Sequence, residues 1–488
     1  MHDIYASDLP AAPVIVWFRN DLRVADNLAL SCAAESGNPV IPLFIRENGR
    51  DALPLGAAQG WWLHRSLQSL SSGLRQYGAR LVLRTGDAQT VLDELISSTG
   101  ARALLWNRRH APHMIERDAA IKAGLRDRNI AARTFDGQLL HEPTRLKTGS
   151  GGPYRVYTPF WRAFSGEPPP RPPAGAPQTV APFDGDLACE RLADWDLLPV
   201  NPDWSGGIAA EWKPGETGAQ ERLARFVREA LDGYAGKRDR PGRVFTSKLS
   251  PHLAFGEISP FQVWKATEDA RHRIPESDMA AFRKELAWRE FSYHLLVNFP
   301  SLADRNFNAD FDAFPWREAD DHLACWQQGR TGYPIVDAGM RELWQTGWVH
   351  NRVRMIVASF LVKHLLIDWR HGEAWFRDTL VDADPASNAA GWQWVAGSGA
   401  DAAPYFRIFN PVLQGEKFDA DGAYVRRFVP EIAGLPDNWL HRPWDAPRPA
   451  LERAGVMLGE TYPRPVVDHK GARDRALAAY RRMKENAA

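Results

Sequence analysis

Between position 13 and about position 136, short β-branched runs alternate with apolar residues at helical spacing. Residues 14–18, 40–44, 80–84, 103–107 and 132–135 read as strands, and Trp62, Leu63, Leu67, Leu70 and Leu74 mark one of the helices between them. This alternation predicts an N-terminal α/β domain with a doubly wound parallel sheet, whose ligands sit beyond the carboxyl ends of its strands. No GxGxxG follows the first run, where the text is Arg19-Asn20-Asp21-Leu22-Arg23, and no Walker A sequence occurs. The common phosphate cradles are therefore absent from this part.

The pattern changes twice more. Residues 137–210 lose their periodicity, and seven prolines crowd into 167–182, which predicts an extended connector. From 211 to 480 the strand signal fades and apolar residues recur at three and four, as in Leu223, Phe226, Val227 and Leu231 and then in 281–297, 335–345, 348–366 and 373–381. That predicts a large all-helical domain. The Asp384-Pro385 step, taken alone, reads as a helix stop.

Composition adds little. Lys+Arg and Asp+Glu both number 60, so any contact with a polyanion must be a local patch. The cysteines Cys32, Cys189 and Cys325 are far apart and odd in number, which indicates neither a disulfide framework nor a CxxC metal site. The N-terminal text has no basic region before its short apolar run, and no window reaches the roughly 20 apolar residues of a membrane span. A soluble, cytoplasmic protein is expected. The odd number is 20 tryptophans, twelve of them between Trp204 and Trp394, for most of which core filling is the better reading.

Four stretches carry candidate chemistry, each with a bland alternative. Around Gly347 to Ile356, Asn351 and Met355 share one helix face, while Arg352 and Arg354 are cations in an apolar helix that need a partner or solvent. In Asp382-Ala383-Asp384, two carboxylates need donors, and Arg354 is a candidate; the text departs from a calcium loop. Thr246-Ser247-Lys248-Leu249-Ser250 precedes a helical pattern, which is ordinarily a cap but also exposes hydroxyls and amides to an anion. Glu285, Trp288 and Arg289 sit at i, i+3 and i+4, where a carboxylate, an indole and a guanidinium can read, stack on and hold a nucleotide, or form a surface pair beside a core tryptophan.

Together these segments resemble the photolyase/cryptochrome family. The matching text is VIVWFRNDLRVADNLAL, TSKLSPHLAFGEISP, ELAWREFSYHLL, TGYPIVDAGMRELWQTGWVHNRVRM and WRHGEAWFRDTLVDADPASNAAGWQWVAGSGADAAPYFRIFNP, which spans nearly the whole chain. The resemblance implies an α/β domain at 13–136, a connector at 137–210 and a helical domain at 211–480 that holds FAD. It implies that Tyr234, Thr246, Ser247, Lys248, Leu249 and Ser250 contact the FAD phosphates and ribose. Arg354 and Asp382 would pair beside the flavin ring, with Ala383 and Asp384 along the same face and Asn388 opposite flavin N5. An asparagine there is the photolyase pattern, as against the aspartate or cysteine of cryptochromes.

The same resemblance implies an electron relay of Trp392, Trp369 and Trp316. Asn351 and Met355 stand where photolyases of (6-4) photoproducts carry histidines, so the pattern resembles a class I cyclobutane pyrimidine dimer photolyase. Glu285 and Trp288 would then bind the flipped dimer, and Arg238, Arg289, Arg352 and Arg407 would hold DNA phosphates. The implied reaction is light-driven transfer of one electron from reduced FAD to the dimer in UV-damaged DNA, ring opening, and return of the electron. The alternatives are a cryptochrome photoreceptor and a (6-4) photolyase. No metal is implied, a monomer is expected, and an antenna chromophore's identity and presence stay open, because residues 106–114 do not match a folate-binding text.

Overall fold

The computed structural model describes residues 6–48, 55–318, 321–402 and 406–487. Its sheet contains β1 (Val14–Phe18), β2 (Val40–Glu47), β3 (Val82–Gly86), β4 (Ala103–Asn107) and β5 (Ala131–Phe135), in the order β3-β2-β1-β4-β5 with parallel pairing throughout. Alternate side chains serve opposite faces. Val14, Val16 and Phe18 pack on the Leu28–Glu35 and Ala57–Gln76 helices, and Ile15 and Trp17 on the Ala88–Thr99 and Pro112–Asp127 helices. Burial on both faces explains why β1 is apolar at every position. The third strand lies two residues beyond its expected start, because Arg80 is exposed and the ladder to β2 runs from Val82 to Gly86.

The strand order reverses between β1 and β4, where a doubly wound sheet opens a ligand crevice. Here the crevice is filled from within. Arg19 pairs with Asp118 at 2.6 Å, Arg109 with Glu47 at 2.7 Å, and Arg117 with both carboxylates. All three guanidinium groups lie against the Trp17 ring. Against burial, which would raise it, the charges of Arg19 and Arg109 hold Asp118 below the usual carboxylate range.

The connector is not wholly extended. Its proline run has no regular structure, but the Tyr157–Ser165 helix forms before it, with Pro159 in the first turn. Its start ties to the helical part: the buried Glu290 accepts from the Leu140 amide at 3.0 Å and the His141 amide at 3.3 Å. The two halves also meet at Glu257, which accepts from Trp62 Nε1 at 3.0 Å and from the Gly215 amide at 2.7 Å.

The remainder is helical, built around the Glu276–Asn298, Pro334–Thr346, Asn351–Ser359, Trp369–Thr379 and Pro385–Ala396 helices. The apolar pattern at 348–366 does not make one helix. His350 caps the first turn by accepting from the Arg352 amide at 3.1 Å, and the helix passes into a π-turn at Phe360–His364. Asp384-Pro385 starts a helix instead of stopping one. Asp384 accepts from the Ser387 amide at 2.7 Å, and Pro385 occupies the first turn, where no backbone donor is needed. Among the described residues no helix is long and apolar enough to cross a membrane.

Candidate functional site

The Pro385–Ala396 helix sets the centre of the site. Just before its cap, the buried Asp382 receives Arg354 Nη2 at 2.7 Å, while Arg354 Nε donates to the Val349 carbonyl at 2.8 Å. The other oxygen, Asp382 Oδ1, is buried with no hydrogen-bond partner. An orphaned carboxylate oxygen is costly and marks a place for a donor from outside the chain. Asp384 has no such vacancy: besides capping the helix it accepts from the Tyr293 hydroxyl at 2.6 Å. Ala383 is buried, and its carbonyl accepts from Gln59 at 2.7 Å.

One turn into the helix, Asn388 Nδ2 donates to Glu373, 2.9 Å to the side chain and 3.2 Å to the carbonyl. The amide is thereby oriented, with its oxygen left as an acceptor. Burial pushes Glu373 above the usual carboxylate range. A Cβ added at Gly391, the next position on this face, would meet nothing within 4 Å. A buried lone acceptor, an oriented amide and an open helix face together suit a planar heterocycle with N–H and acceptor edges, as the flavin ring has.

The anion-facing loop lies close by. Lys248 has φ of 50°, a strained value for a residue with a side chain, and its ammonium pairs with Glu211 at 2.7 Å over the Trp348 ring at 4.8 Å. The expected serine cap is not formed. Leu249 is the capping residue of the Ser250–Ala254 helix without a side-chain bond, and Ser250 accepts from Trp348 Nε1 at 3.2 Å. Thr246 and Ser247 are half-buried beside it. Tyr234 is buried in its own core cluster, its ring under the Arg238 guanidinium at 5.4 Å. Trp348 also contacts Arg354 at 5.8 Å, so this loop and the Arg354–Asp382 pair share one neighbourhood.

The second wall comes from the Glu276–Asn298 helix. Glu285 pairs with Arg238, and Trp288 is half-buried one turn on. Arg289 turns towards the connector and donates to the Gln138 carbonyl at 2.7 Å. On the Asn351–Ser359 helix, Asn351 is exposed at the first position, and Met355 is half-buried with its sulfur 3.8 Å from Arg352 Nη1. Arg352 pairs with Asp239 at 2.9 Å. Arg407 is exposed, and its carbonyl receives the buried Lys363 ammonium at 2.5 Å. Burial, with the Arg407 charge, pushes Lys363 down to about 7.

Of the three tryptophans of the expected relay, only the outermost approaches solvent. Trp392 and Trp369 are almost fully buried, and Trp316 is half-buried at the edge of the core. Trp392 packs on the helix that Trp369 begins, at Gly372: a Cβ there would come within 2.1 Å of the ring.

The comparisons now bear on this arrangement. Residues 14–178 match DNA photolyase and residues 282–482 match the FAD binding domain of DNA photolyase. The deoxyribodipyrimidine photo-lyase of Agrobacterium fabrum is 60% identical over 98% of this chain and 99% of its own length. The chain belongs to the DNA photolyase family. A crystal structure of a bacterial class III photolyase from Agrobacterium tumefaciens superposes with a TM-score of 0.95 at 60% identity, covering 98% of this chain and 99% of that one. Cryptochrome-1 of Arabidopsis thaliana is 39% identical over 96% of this chain and 70% of its own length. The α/β domain and the helical FAD-binding domain expected from the sequence are those of the family. The class I expectation finds no support in the solved relative, which is described as class III.

Sequence reasoning missed Trp348, Glu373 and Tyr157. Trp348 meets Ser250, 98 residues away, and Glu373 meets Asn388, 15 residues away on the neighbouring helix, and nothing local announces either. Tyr157 had a signal, an aromatic opening a helix inside a segment otherwise rich in proline.

Proposed function

We propose that this protein is a light-driven DNA repair enzyme, a deoxyribodipyrimidine photo-lyase that splits cyclobutane pyrimidine dimers, of the class III kind. The observation that carries the reading is the pairing of Asn388 with Glu373 beside the unpartnered Asp382 Oδ1. It leaves a fixed, neutral acceptor and an unpartnered carboxylate oxygen for one edge of a flavin, as a light-driven electron donor needs. A bound reduced FAD would supply light absorption and one transferable electron for opening the dimer, to be returned afterwards.

The chain's own groups do the rest. Tyr234, Thr246, Ser247, Lys248, Leu249 and Ser250 bind the phosphate and ribose part. Arg354, Asp382, Ala383 and Asp384 frame the ring edge, with Asp384 acting through its helix cap. Asn388 presents its carbonyl oxygen to a ring N–H. Trp288 stacks on the flipped bases, Glu285 hydrogen-bonds them, and Asn351 and Met355 line the opposite wall. Arg238, Arg289, Arg352 and Arg407 face the DNA backbone, and Trp392, Trp369 and Trp316 carry charge to the surface. Neither Asn351 nor Met355 can relay a proton as a histidine could, which favours cyclobutane dimers over (6-4) photoproducts. We take the enzyme to act as a cytoplasmic monomer.

The test is illumination of purified, reduced holoenzyme with DNA carrying thymine dimers. Dimers are expected to disappear only in the light. Repair of (6-4) products instead moves the substrate, and no repair of either leaves the photoreceptor reading.

A further inference from the structure

The Tyr157–Ser165 helix opens against the wall that carries Trp288. The Tyr157 ring lies parallel to the Trp288 ring, 3.6 Å between centroids and 7° between planes. Its hydroxyl donates to the Lys284 carbonyl at 2.7 Å, one turn earlier on the helix that bears Trp288. Phe291 closes the edge at 5.8 Å. Tyr157 is 7% exposed although Val156, immediately before it, is 44% exposed. Burial, together with the nearby Glu285 charge, pushes the phenol well above its usual range, so it remains a neutral donor.

An indole has two faces, and one face of Trp288 is fully used by Tyr157. Only the other can receive a base. A tryptophan at a half-buried position would otherwise sample several rotamers, each of which a ligand must exclude before stacking on it. Tyr157 removes that freedom by filling one side, and the Lys284 bond fixes Tyr157 in turn. We propose that Tyr157 is a positioning residue of the lesion site, backing Trp288 so that its free face is set for a flipped pyrimidine dimer. The connector then contributes to damage recognition as well as joining two domains. The proposal rests on the reading of Trp288 as the stacking platform.

The test uses reduced holoenzyme and four variants: Tyr157→Leu, Tyr157→Phe, Trp288→Ala and Tyr157→Leu with Trp288→Ala. Leucine fills much of the volume without a ring, and phenylalanine keeps the stack. The readouts are affinity for dimer-containing and for undamaged duplex DNA, with flavin content as the check on folding. Tyr157→Leu is expected to lower the preference for damaged DNA about five- to tenfold, in keeping with a lost aromatic pair, with undamaged binding unchanged. Tyr157→Phe should stay within about twofold of wild type, and the double variant should lose no more than Trp288→Ala alone. Wild-type preference in Tyr157→Leu, alongside a loss in Trp288→Ala, overturns the positioning role. Additive losses overturn it too, since they place Tyr157 in an independent contact. Undiminished preference in Trp288→Ala removes the platform itself, and the proposal with it.

Discussion

Glu285 stands at the site already paired with Arg238. Burial of Arg238 opposes its charge, but the hydrogen bond and charge of Glu285 carry the guanidinium well above its usual range, so Arg238 faces the site as a cation. A lesion must therefore compete for a carboxylate that has a partner, and removing the carboxylate releases a cation towards DNA. Glu285→Ala should keep its flavin, because its partner is Arg238 and none of the proposed flavin-facing groups bonds to it. Its preference for dimer-containing DNA should fall by about 1.5–3 kcal/mol, the worth of a hydrogen bond to a charged group. Undamaged DNA should bind as well as before or more tightly, through the freed Arg238. Flavin absorbance and the two affinities decide the matter, and a flavin-free protein would put this side chain on the wrong wall.

At the scale of elements, one helix serves two masters, and Glu290 is the joint. The Glu276–Asn298 helix carries Glu285 and Trp288 on one side and grips the connector through Glu290 on the other. Burial pushes Glu290 up to about 7, against about 4.3 in an unfolded chain. The folded state thus holds its proton more tightly, and its contribution to stability is fully present below about pH 4 and lost as pH rises to about 7. Glu290→Gln keeps an acceptor for the Leu140 amide but cannot ionise. Its unfolding free energy should match wild type near pH 4.5 and exceed it by about 1–3 kcal/mol at pH 8. An equal offset at both values would mean that Glu290 does not titrate in this window. Such joints explain what could be read from the sequence. The strands and the 3.6-residue periods were legible because burial repeats locally, as in the wholly apolar 14–18 run. Asp384-Pro385 was ambiguous because a proline that ends one helix is equally suited to begin the next. Asp382, Arg354 and Asn388 were found as motif residues, whereas Glu373, Trp348 and Tyr157 owe their places to contacts across the fold.

Across the whole molecule, the proposed relay of Trp392, Trp369 and Trp316 would give the buried centre a route to solvent. Trp392 Nε1 has no hydrogen-bond partner, and Trp369 Nε1 donates to Asn306 Oδ1 at 2.9 Å, a neutral amide that is no base. An indole oxidised at either place keeps its proton and stays a good acceptor for the next electron. On the proposed relay, proton loss would then be deferred to the half-buried Trp316. Packing seats the first indole of that relay, because the missing Cβ at Gly372 leaves room for Trp392 against the helix that Trp369 begins. Trp392→Phe should cut photoreduction of oxidised FAD by at least about tenfold in the presence of an external reductant, since phenylalanine is far harder to oxidise. Gly372→Ala should slow it as well, by pushing the ring off its seat while leaving every indole in place. Repair by chemically reduced enzyme should survive both changes, because the proposed relay would recharge the flavin and take no part in splitting the dimer. The measurements are the rate of flavin bleaching under blue light and the repair yield per absorbed photon of pre-reduced protein. Photoreduction at the wild-type rate in Trp392→Phe would show that electrons reach the flavin by another route, and loss of repair in pre-reduced Trp392→Phe would place the indole in the lesion chemistry itself.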